Sequence, residues 1–120
     1  MYRTMALYIK TNEEVQVLLS EIKKMIDTKD IVGWEYDEDG DFTCSDEKWK
    51  NKAWLTPTIS GMFLKFGILG RKGVPMTKRE YSYYHGYFSE MIMEHFFDEI
   101  ESIKLLPPFK SILDTKDIEK

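Results

Sequence analysis

A mainly antiparallel sheet, made from an N-terminal strand and two hairpins and carrying two helices on one face, is the two-layer α+β sandwich this 120-residue chain predicts. Two segments alternate apolar and polar residues around glycine turns, which is the strand period. Two others repeat apolar residues every three or four positions, each behind a T-x-x-E box, which is the helix period and a helix start. The order strand, helix, two hairpins, helix lets one sheet face bury both helical stripes.

Residues 2–10 form the first strand, with Met5, Leu7 and Ile9 on one face and Thr4, Ala6 and Tyr8 on the other. Thr11 and Glu14 predict a reciprocal cap. Behind them Val15, Leu18, Leu19, Ile22, Met25 and Ile26 mark one face of an amphipathic helix, opposite Glu13, Gln16, Glu21, Lys23 and Lys24. Residues 31–36 read as a strand that turns at 37–41, with Gly40 at positive φ, into Phe42-Thr43-Cys44. A short helical turn after Ser45 carries Trp49. The second hairpin runs from Ala53 to Ile59, turns at Ser60-Gly61, and returns through Met62 to Leu69 with Met62, Leu64, Phe66 and Ile68 on one face. Pro57 cannot donate to a ladder, so its strand should lie at an edge or carry a bulge. Thr77 and Glu80 form a second box, stapled by Met76 and Tyr81, and the helix behind it is expected to reach about residue 103. Residues 1–106 therefore read as one domain and 107–120, which open on Pro107-Pro108, as a tail or short docked segment.

Composition narrows the classes of function. A net charge of −4 argues against a general nucleic-acid binder, whose affinity rests on neutralising phosphates. One cysteine, Cys44, excludes an intrachain disulfide and a Cys-rich zinc site. With neither a leader nor an apolar span in view, a cytoplasmic location is expected.

Four groups of residues invite a functional reading. In the second helix Tyr81, Tyr84, Phe88, Met91, Ile92, Phe96, Ile100 and Ile103 make the core stripe, and Tyr83, Tyr87, Met93 and Phe97 lie outside it. Either the first helix or the tail covers them, or they form an interface with a protein partner or a second copy. Gly86, mid-helix, would suit a close helix crossing. Arg71, Lys72, Lys78 and Arg79 gather at a helix start, where cations oppose the macrodipole and free amides suit an anion. The loop lacks the Gly-rich phosphate patterns, and no cofactor is implied.

Tyr84, His85 and His95, with the basic cluster, would line a pocket between sheet and second helix if the chain bound a small molecule or were an enzyme. His95 neighbours Glu90, Glu94, Asp98 and Glu99, but the two histidines are too far apart in sequence to share a metal. In residues 35–46 the acids Asp37, Asp39 and Asp41 resemble a calcium loop. Glu35 in its first place and Asp46 in its last depart from that pattern, so an acidic hairpin turn independent of calcium is expected. No metal site is assigned and no nucleophile stands out. A non-catalytic protein-binding module of inhibitor, immunity or adaptor type is the expectation.

Overall fold

The computed structural model describes residues 5–106. The beginning of the predicted first strand and the whole predicted tail lie outside them. The elements are β1 (Met5–Thr11), α1 (Val15–Asp27), β2 (Trp34–Tyr36), β3 (Phe42–Cys44), β4 (Ala53–Ser60), β5 (Phe63–Gly70), α2 (Lys78–His95) and β6 (Ile100–Leu105). They form a two-layer α+β fold whose six strands run in the order β2-β3-β4-β5-β1-β6, each pair antiparallel.

Strand alternation aims Leu7, Ile9, Leu55, Leu64, Phe66 and Ile68 into the layer between sheet and helices, where all are buried. Val15, Leu18, Leu19, Ile22 and Ile26 close it from α1, and Tyr84, Phe88, Met91 and Ile92 from α2. The two hairpins turn through Gly40 at φ 83° and Gly61 at φ 59°, where a side chain would be strained. Ser60 pairs with Phe63, so the second turn is Gly61-Met62, and Met62 lies exposed in it instead of on the strand face. Pro57 sits past the end of β3, which registers with β4 at Phe42↔Leu55, so its missing donor interrupts no ladder there. Residues 46–50 make the expected helical turn, with the Trp49 and Lys50 amides donating to the Asp46 carbonyl.

Two further expectations are corrected. The predicted second helix ends at His95, and Ile100 and Ile103, assigned to its stripe, belong instead to a sixth strand beside β1. No glycine or proline stops the helix. Residues 11–12 capture the chain that leaves it: the Thr11 hydroxyl and the Asn12 amide both donate to the Glu99 carbonyl, at 2.9 and 3.0 Å, and Asn12 Nδ2 donates to that of Asp98. The same contacts undo the first predicted cap. Thr11 Oγ1 is engaged with Glu99 and with the Glu13 amide, so α1 starts at N-cap Glu14 without a side-chain cap.

Candidate functional site

The site begins with the start of α2. Thr77 Oγ1 accepts the Glu80 amide while Glu80 Oε1 accepts the Thr77 amide, so this capping box forms as expected. Glu80 is buried, and its second oxygen takes a 2.9 Å charge-assisted bond from Arg71. Arg71 is thereby paired within the chain and half-buried, whereas Lys72, Lys78 and Arg79 stand exposed around it.

Next to this helix start lies the turn that carries Trp49. Its position is fixed by Tyr84, whose hydroxyl donates to the Trp49 carbonyl, sits 3.1 Å from Thr43 Oγ1 and accepts the Lys52 amide. The turn leaves through Asn51 at φ 56°. A shallow hollow of about 280 Å³ results, lined by Lys48, Trp49, Lys52, Thr77, Arg79 and Glu80. Among the described residues Lys48, Lys52 and Arg79 are in no ion pair; the Lys48 ammonium lies 5.6 Å from the Trp49 ring centre.

From this basic hollow a run of stacked rings crosses the flank of α2. Trp49 stacks on Tyr83 at 4.0 Å, Tyr83 on Tyr87 at 5.4 Å, and Tyr87 on Trp34 at 5.5 Å. Tyr83 and Tyr87 are half-buried and lie against the more deeply buried Trp49 and Trp34. Burial raises the pKa of both phenols, so they stay neutral.

Tyr87 also belongs to a second hollow, of about 190 Å³, with Asp30, Val32, Glu90, Met91, Glu94 and His95. Three carboxylates and a 72% exposed Val32 rim it. Farther along, Met93 and Phe97 are 42% and 68% exposed. One flank of α2 therefore reads, from its N-terminal end, basic hollow, stacked rings, acidic hollow.

The predicted pocket residues have separate surroundings. Tyr84 is wholly buried in the hydrogen-bonded turn, and His95 lines the acidic hollow. His85 lies under a third, open hollow of about 290 Å³ with Tyr81, Ser82, Gly86, Leu105 and Leu106. Its Nδ1–H donates to the Tyr81 carbonyl at 2.9 Å, and burial lowers its pKa. Cys44 is sealed, and burial pushes its thiol up to about 12, the reverse of an activated nucleophile.

The acids Asp37, Asp39 and Asp41 bring one oxygen each within 4.8 Å of the others. Asp37 Oδ1 accepts the amides of Asp39 and Asp41, the side-chain-to-backbone bonding of an acidic turn. Gly86 has open space where a Cβ would stand, so no helix crossing within the described chain accounts for it.

Lys48, Lys52, Asp30 and Val32 were not singled out by the sequence. The alternating Lys48, Lys50 and Lys52 beside Trp49 were a visible signal, but their approach to Arg79 depends on the buried Tyr84 hydroxyl. No helix among the described residues is long and apolar enough to cross a membrane. Comparison with known proteins finds no matching family, curated protein or solved structure.

Proposed function

We propose that this chain is a non-catalytic protein-binding module of the cytoplasm that works through the flank of α2. The observation that carries this reading is the continuity of the strip. Trp49 and Tyr87 each belong both to the ring stack and to a hollow, so opposite charges and aromatic faces form one surface. Aromatic and Met side chains framed by charge are the composition of a recognition surface. Met93, between Glu90 and Glu94 in sequence, and Phe97, past the end of α2, add exposed apolar surface at the acidic end.

A binding role accords with the shape as well. The three hollows among the described residues, of about 190–290 Å³, are open and lie no higher than the lower end of the roughly 300–1,000 Å³ range of small-molecule sites. The alternative, a small-molecule or anion-binding protein or an enzyme with a pocket between sheet and α2, has less support. Its residues Tyr84, His85 and His95 do not converge, and Arg71 is taken by Glu80.

The test is affinity capture from the native source with the tagged full chain and with its Phe97→Asp/Lys52→Glu variant. Partners retained by the first and lost by the second support the reading. Identical recoveries with both would count against it.

A further inference from the structure

Arg79, Tyr83, Gly86, Glu90 and Met93 follow one another along α2 at steps of four and three, so they form one outward ridge. Gly86 is its middle. It is exposed, and an added Cβ would meet nothing within 4 Å, so packing within the described chain gives no reason for a glycine where alanine favours the helix. Glycine in a helix interior has a use where a second backbone comes close.

The charges around this ridge are arranged symmetrically in opposite signs. Lys48, Lys52 and Arg79 surround one end, and Asp30, Glu90 and Glu94 the other. Arg79 and Glu94 are about 22 Å apart along the axis at 1.5 Å per residue, with their midpoint between residues 86 and 87. A surface with positive charge on one side of a centre and negative charge on the other is complementary to its own copy after a two-fold rotation, the requirement of an isologous dimer.

Resting on the reading of α2 as a binding surface, we propose that the partner is a second copy of this chain, its α2 packed antiparallel and crossing at Gly86. In that arrangement Arg79 of each copy faces Glu94 of the other, and Tyr83 faces Glu90. Each basic hollow meets an acidic one, and Tyr83 and Tyr87 lie beside the axis. Glycine at the crossing lets the helices approach closely enough for the rings to meet.

Sedimentation velocity on the full chain at micromolar concentration tests this, with two charge-reversed variants. Lys52→Glu/Arg79→Glu makes both ends acidic, and Glu90→Lys/Glu94→Lys makes both ends basic. The wild type is expected to sediment as a dimer that weakens as salt rises, since exposed charges are screened within roughly 10 Å at 0.1 M. Each variant alone, folded by circular dichroism, should associate at least tenfold more weakly. Their equimolar mixture should recover the dimer. A monomeric wild type, variants that dimerise like the wild type, or a mixture of folded variants that stays monomeric would each overturn the proposal. A monomeric wild type that still captures a partner lost on Lys52→Glu/Arg79→Glu would remove the second copy and keep the binding surface. A monomer with no such partner would remove both.

Discussion

Gly33 holds its backbone directly beneath the Tyr87 hydroxyl, at φ 92°, and a Cβ built there would collide with the phenol oxygen. This contact lets the loop after Ile31 close over the ring stack and brings Trp34 onto Tyr87. Gly33→Ala should therefore destabilise by about 2–3 kcal/mol, from left-handed backbone strain and a displaced ring together. In a Tyr87→Phe background the collision with oxygen is gone, and the same change should cost about 1 kcal/mol less. Urea denaturation of the four proteins measures the coupling. Equal costs in the two backgrounds would mean that the ring and the loop do not meet.

Glu80 serves the helix start twice, through the Thr77 amide and through Arg71. Glu80→Ala loses the box and leaves Arg71 without its carboxylate, for an expected loss of about 2 kcal/mol. Glu80→Gln retains an oxygen for Thr77 and should lose about half of that. Denaturation midpoints of both variants check the ranking, and Gln as costly as Ala would contradict it.

His85 makes stability depend on pH in a stated direction. Its folded pKa is lowered by burial below the ordinary 6.5, so between those two values the unfolded chain binds more protons than the folded one. Stability is full above about 6.5 and falls as pH drops from there toward the folded value. The effect is read as a difference between the wild type and a variant without the imidazole. His85→Phe should flatten the slope just below pH 6.5 in denaturation curves taken every half unit. An unchanged slope would assign it to other groups.

The strand and helix periods made most of this fold readable from sequence. Leu64, Phe66 and Ile68 on β5, the α1 stripe and the Thr77–Glu80 box all occupy their expected places. Local pattern failed where a distant contact decides the conformation. Ile100 and Ile103 fit helical and strand periods alike, and only capture of Asp98 and Glu99 by Thr11 and Asn12 turns that segment into β6. The T-x-x-E at Thr11 misled for the same reason, because its hydroxyl was wanted elsewhere. For the site, the apolar excess of α2 was legible in Tyr83, Tyr87, Met93 and Phe97. The stacking of the first two on Trp49 and Trp34, and the approach of Lys48 and Lys52 to Arg79, depend on tertiary turns that no spacing in the sequence encodes.

Gly86→Ala separates folding from association. An exposed helix interior should become more stable by about 1 kcal/mol with alanine, and the open space at Gly86 raises no clash. The same methyl would stand between two crossing helices. Thermal melts at low concentration should move up while dimer affinity from sedimentation falls. An unchanged or tighter dimer would place the crossing elsewhere.

The most direct measurement of the central claim is an NMR dilution series on the full chain labelled with ¹⁵N. If a second copy binds along the flank of α2, amide shifts that change with concentration should map to residues 48–52 and 79–97 and to Asp30 and Val32. The solvent-facing residues of β1, β4 and β5 should stay constant. Concentration-dependent shifts confined to that sheet face or to β6, with α2 unmoved, would contradict the account.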